Sequence, residues 1–173
     1  LSQTLFEGAL LQVGEGLEEA LRGEKSLKPR VKATQSGLQS ALGYSILRMG
    51  PAIALSYTCS RQFGIPKSWI GTVLLPHLAD THEESHPELL AEAAKLLGED
   101  TFGMPIQEAA SSFSNRVRRA LSVLGLPTRL RDFDLKLSSL VEVAEEAASL
   151  DSSVAFHVPF SVESLYDFLK RAF

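Results

Sequence analysis

The sequence predicts an all-α protein, and three observations carry that expectation. Apolar residues recur at helical spacing over most of the chain. Glycine and proline punctuate those stretches at their ends. The one β-like run, Val154 to Val158, is too short to be more than an isolated extended segment. Together these predict about seven to nine helices. With 173 residues, 45% of them hydrophobic and 22% charged, the chain suits one domain, residues 1–173, that buries roughly two thirds of its unfolded surface.

The first helix carries Leu5, Phe6, Ala9, Leu10, Val13, Leu17, Ala20 and Leu21 on one stripe, with Glu7, Gln12, Glu15, Glu18 and Glu19 around it. Gly8, Gly14 and Gly16 each weaken it by about 1 kcal/mol relative to Ala, which implies close contact with another backbone. A polar link from Gly23 to Lys28 leads to Pro29. The second helix follows, with Val31, Thr34, Leu38, Ala41, Leu42, Ser45, Ile46 and Met49 as its apolar side and Gly37 and Gly43 keeping it thin.

The stretch from Pro51 to His77 holds the densest apolar run, the single Cys59 and the single Trp69. Gly50-Pro51 opens a helix over residues 51–63, and Gly64-Ile65-Pro66 closes it and starts another over 67–79. The second of these carries Trp69, Ile70, Val73 and Leu74 and reaches Pro76. Apolar residues cover most of the circumference of this pair, which places it at the centre of the core. Cys59, in an apolar helix and with no motif pairing it to a histidine, reads as a small buried hydrophobe.

Residues 80–86 contain His82-Glu83-Glu84-Ser85-His86, the letters of the H-E-x-x-H zinc-protease signature. That chemistry needs both imidazoles on one helical face, and Pro87 disfavours helical geometry at His86. The expected structure is a solvated loop, with Pro87 in the first turn of the next helix. Leu89, Leu90, Ala93, Ala94, Leu96 and Leu97 form that helix, which Gly98 ends.

After Phe102-Gly103-Met104-Pro105 a longer helix is built on Ala109, Ala110, Phe113, Val117, Ala120, Leu121 and Leu124. Arg116, Arg118 and Arg119 fall on its open side, where three arginines can clamp a phosphate or simply meet solvent beside Glu108. Gly125 is placed as a C-terminal cap and Pro127 as a stop. Ser139-Leu140-Val141-Glu142 reads as a capping box, and Ser161 caps a last helix with Leu165, Phe168, Leu169 and Phe173 on one side.

Composition excludes several classes of function. The net charge of −4 and pI near 5.6, with both signs mixed along the chain, argue against nucleic acid. Arg48 and Arg61 interrupt the best apolar run, so no membrane span is expected. One cysteine and no signal-peptide pattern point to a reducing, cytoplasmic setting. There is no G-x-S-x-G, G-x-G-x-x-G or Walker loop, so neither a serine nucleophile nor a dinucleotide site is expected in these residues.

Gly64-Ile65-Pro66 followed by Leu74-Leu75-Pro76-His77, and Leu124-Gly125-Leu126-Pro127-Thr128-Arg129-Leu130-Arg131 followed by the helix Leu140 to Ala147, resemble the iron-type alcohol dehydrogenases and their relatives, the maleylacetate reductases. The resemblance covers nearly the whole chain. It implies a multi-helix orthogonal bundle like the dehydroquinate synthase-like C-terminal domain of that family, and a partner nucleotide-binding domain carrying NAD(P). The chain opens on Leu1 inside a helical pattern, as expected of the C-terminal part of a longer two-domain protein.

In that family a metal is held by an Asp and a His on an earlier helix, which would lie before Leu1, and by two further histidines. The resemblance lays these two onto Ile53 and Lys67, and a third family histidine onto Tyr57. Isoleucine has no lone pair and an ammonium is a donor, so the resemblance implies that the metal site is lost. His77 matches a family feature and is expected to cap or pack.

Lys67 and Tyr57 are then the candidate catalytic residues. One would polarise the carbonyl of a small substrate, and the other would give a proton. Alternatively Lys67 is a solvated first-turn residue and Tyr57 packs in the core. Two functions follow. One is the helical domain of an NAD(P)-dependent oxidoreductase, inactive alone, without metal, and compatible with a homo-oligomer. The other is a degenerate domain kept as a protein-interaction module.

Overall fold

The computed structural model describes residues 1–23, 26–45, 50–150 and 161–173. These residues form eight α-helices and no strand: α1 Ser2–Leu21, α2 Leu27–Tyr44, α3 Pro51–Phe63, α4 Lys67–His82, α5 Pro87–Leu96, α6 Ile106–Val123, α7 Leu140–Ser149 and α8 Val162–Ala172. Short 3₁₀ turns occupy Leu130–Phe133 and Leu137–Ser139. The all-α expectation holds. The Val154 to Val158 run and the second-helix positions Ile46 and Met49 lie outside the described residues.

The chain divides into two compact units. One is Leu1–Leu47 with Ala79–Gly125, and the other is Arg48–Leu78 with Leu126–Phe173. In the first, α1 pairs with α2 and α5 with α6, and α1 also touches α5 and α6. Ala79, Ala94, Leu97 and Phe113 are buried there, with Leu10, Leu90, Ala93 and Val117 packed around them. The glycines of α1 serve this packing unequally. A Cβ on Gly14 would stand 2.4 Å from the Leu96 carbonyl oxygen, so backbone does approach backbone there, whereas Gly8 and Gly16 face the side chains of Gln39 and Lys32.

Two sequence expectations fail in this unit. The apolar side foreseen for α2 is the exposed side: Val31, Leu38 and Leu42 face solvent, Leu38 being 62% exposed, while Ser36 and Gly43 turn inward. The reason is the close fit to α1. Gly43 lies against the Phe6 ring, 2.9 Å from where a Cβ would stand, and Phe6 meets Tyr44 edge-on at 5.2 Å. The second failure is Arg116, which is 8% exposed and not on an open side. It sits among Phe113, Val117 and Ala120 on the inward face and pairs with Glu99 at 3.5 Å. Arg119 meets the same carboxylate at 2.7 Å and Arg118 pairs with Asp80, so all three guanidiniums have carboxylate partners and form no phosphate clamp.

The core of the second unit gathers Leu55 and Cys59 of α3, Ile70, Val73 and Leu74 of α4, Leu140, Val143 and Ala147 of α7, and Leu165, Leu169 and Ala172 of α8. The helix pair expected at residues 51–63 and 67–79 is present. α3 begins at Pro51 and ends where Gly64 adopts φ +70°, a left-handed value that costs only glycine nothing. α4 is longer than expected, passing through Pro76 to His82. A proline inside a helix costs about 3 kcal/mol. Burial of Val73 and Leu74 before it, and of Pro76 and Ala79 after them, offsets that loss. Residues 80–82 are therefore helix and not loop. Trp69, counted among the apolar set, is exposed and lies against Phe133 with ring centroids 6.1 Å apart.

Capping follows the sequence at one end and departs from it at another. Ser161 accepts the Ser164 N–H at 3.1 Å, as expected. Ser139 makes no such bond, because it is the last residue of a 3₁₀ turn that already holds it at helical φ −77°, ψ −16°. The local bracing falls to Asp132, whose carboxylate accepts the N–H groups of Thr128 and Arg129, both at 3.0 Å.

Cys59 is fully buried, and burial pushes its thiol up to about 12. A thiol-specific reagent at neutral pH is expected to leave it unmodified in the folded protein and to label it fully in urea. Labelling at equal rates in both states would show that the core around it opens.

Candidate functional site

Tyr57 and Lys67 come from the two helices that meet at the Gly64-Ile65-Pro66 turn. Tyr57 is on α3, two turns before that helix ends, and Lys67 opens α4. The Pro66 carbonyl accepts from Trp69 at 3.0 Å and from Ile70 at 3.3 Å, which fixes the first turn of α4. Further along, Gly71 sits opposite Ser56, where a Cβ would stand 3.5 Å from the hydroxyl oxygen. That is an ordinary van der Waals distance, so α4 passes Ser56 of α3 at normal packing separation.

The result is that Lys67 Nζ stands 5.7 Å from the centre of the Tyr57 ring, within reach of a cation–π contact. Tyr57 is 47% exposed, so it does not pack in the core, and Lys67 is exposed as well. The structure brings the two candidate residues side chain to side chain. Ile53, one turn before Tyr57, is half-buried. It offers no donor atom, and neither Ile53 nor an ammonium at Lys67 fits a metal ion. Among the described residues no group of three His, Cys, Asp or Glu side chains is placed to hold one.

One turn beyond Tyr57, Arg61 Nε donates to Glu146 Oε1 at 2.5 Å, and Gln62 Nε2 donates to Glu146 Oε2 at 2.6 Å. Arg61 first, then Gln62, hold the Glu146 carboxyl below its usual range. This clamp ties the end of α3 to α7 and keeps the charge of Arg61 engaged beside the Tyr57–Lys67 pair. Sequence reading missed it because its partners lie on different helices and no local pattern links them. His77 lies half-buried in the middle of α4, where it has no helix end to cap.

Chemically, the pair offers an ammonium group over the ring of a phenol on an accessible surface. The first can hold a developing negative charge on oxygen, and the second can supply a proton.

Residues 1–173 match the family described as Fe-containing alcohol dehydrogenase family, C-terminal. Over 139 residues the chain is 26% identical to 1,3-propanediol dehydrogenase of Citrobacter freundii, covering 80% of this chain and 36% of that protein. Among solved structures, a 1,3-propanediol oxidoreductase superposes with a TM-score of 0.89 at 24% identity, over 99% of this chain and 45% of its own. The maleylacetate reductase of Agrobacterium tumefaciens gives 0.77 at 21% identity, with the same shares covered. The chain therefore spans less than half the length of these relatives.

Proposed function

The chain belongs to the Fe-containing alcohol dehydrogenase family, whose C-terminal domain it matches from end to end, and from that premise we propose that it is the helical half of an NAD(P)-dependent oxidoreductase that reduces a small carbonyl compound without a metal. The observation that carries the reading is the approach of Lys67 Nζ to within 5.7 Å of the Tyr57 ring centre, the two residues onto which the sequence resemblance lays two of the family's histidines. A reduced nicotinamide on the nucleotide-binding domain would supply the hydride. Lys67 would hold the carbonyl oxygen and stabilise it as it becomes an alkoxide, and the Tyr57 hydroxyl would give that oxygen its proton. One ammonium charge would then do what a divalent ion does in metal-bearing relatives. The setting proposed is cytoplasmic. Among the described residues no helix is long and apolar enough to cross a membrane.

In the full-length protein, Lys67→Ala is expected to lower kcat/KM for aldehyde or ketone reduction by about tenfold or more, in the range of losing one oxyanion donor. Tyr57→Phe should cost less. Thermal unfolding should hardly change, since both side chains are exposed. A Lys67→Ala protein as active as the parent, or a parent inactive with both nicotinamide cofactors, would overturn this reading.

A second reading, a non-catalytic interaction module, is favoured by the exposed apolar side of α2 at Val31, Leu38 and Leu42. Inactivity of the parent would turn attention to that face, and to association with a partner or a second copy.

A further inference from the structure

The imidazoles of His82 and His86 meet where α4 gives way to α5, with ring centroids 5.8 Å apart and planes inclined by 36°. The sequence argued against such a meeting, because Pro87 keeps His86 out of the helical region. His86 is indeed non-helical, at φ −141°, yet its N–H still donates to the His82 carbonyl at 2.8 Å. That bond keeps the two residues one turn apart while the chain passes from one helix to the next. Two imidazoles on one zinc ion, with Zn–N bonds of about 2.0–2.1 Å, place their ring centres roughly 5 to 6 Å apart. The observed separation falls within that span.

We propose that His82 and His86 form a two-imidazole clamp for a divalent transition metal at the α4–α5 joint, with water completing the coordination sphere. Imidazole selects borderline ions, so Zn²⁺ and, more tightly, Cu²⁺ are its ligands, and Mg²⁺ and Ca²⁺ are not. The neighbouring carboxylates are engaged elsewhere: Asp80 pairs with Arg118, and Glu83 accepts from the Ser111 hydroxyl. Among the described residues no third His, Cys, Asp or Glu joins the pair. Glu83 is thus not placed as the general base of an H-E-x-x-H protease, and the clamp is a binding site and not a hydrolytic centre. Both residues are exposed, so an ion reaches them from solvent without rearrangement. The clamp shares no residue with the Lys67–Tyr57 pair and stands whether or not that pair is catalytic.

The test is calorimetric titration of the metal-free, full-length protein with ZnCl₂ at neutral pH. One saturable Zn²⁺ per chain is expected, with His82→Gln and His86→Gln each weakening it by about tenfold or more and His77→Gln leaving it unchanged. Far-UV circular dichroism checks that the variants keep the parental fold. A measurement that needs no variant accompanies it: Zn²⁺ should shift the ring resonances of two histidines and leave the others in place. Variants that bind as the parent does, several ions taken up at one uniform weak affinity (an adventitious ion only), or ring shifts spread over all histidines would each overturn the clamp.

Discussion

Leu140→Ala is expected to cost roughly 2–5 kcal/mol of folding stability, a large share of the 5–15 kcal/mol typical of a domain. Leu140 is fully buried at the first position of α7, in the cluster that also holds Leu55, Leu74 and Leu169. Truncation removes its transfer free energy and leaves a cavity in a core whose neighbours come from several helices and cannot all collapse inward. Leu137, three residues earlier and exposed, is the matched control, and Leu137→Ala should stay within about 0.5 kcal/mol. Urea melts of both variants decide the matter. A loss below about 1 kcal/mol for Leu140→Ala would mean that the site is not the packed core described.

Much of that core was legible before any coordinates. Gly50-Pro51 and Gly64 bracket α3 because one starts and the other ends a helix by backbone geometry alone, and such local signals survive in any tertiary context. The capping of α8 by Ser161 was equally local. What failed was decided by neighbours. The apolar side of α2 faces outward because the small residues, not the large ones, are turned toward Phe6 and α1. Arg116 is buried among apolar residues because Glu99 stands there to meet it, and no periodicity announces a partner on another segment. Ser139 lost its cap to a 3₁₀ turn. For the candidate site, Lys67 and Tyr57 were singled out by resemblance. Their proximity follows from the turn at Gly64 that joins their two helices.

Gly14→Ala should destabilise the protein by about 1–3 kcal/mol, although alanine is the better helix former by about 1 kcal/mol. The added methyl would stand 2.4 Å from the Leu96 carbonyl oxygen and 2.9 Å from Leu97 Cα, and both are backbone atoms that no rotamer change can move aside. α1 would have to shift away from the end of α5 along its length. Gly37→Ala, in the interior of α2 with nothing within 4 Å of the new Cβ, should instead stabilise by about 0.5–1 kcal/mol. The opposite signs make the pair decisive in chemical denaturation. Should both variants gain stability alike, α1 and α5 are not in the contact described.

The alternation of the two units along the chain sets an order of assembly during synthesis. All the segments of the unit formed by Leu1–Leu47 and Ala79–Gly125 have been made once Gly125 has left the ribosome. The other unit must wait, because α3 and α4 emerge early while α7 and α8, which supply Leu140, Val143, Leu165 and Leu169, come last. Through that interval the apolar faces of Leu55, Ile70 and Leu74 lack the surfaces that bury them in the finished protein. Nascent chains in that state aggregate readily and are the kind that chaperones retain. A premature stop ahead of α8 would leave that core without Leu165, Phe168 and Leu169.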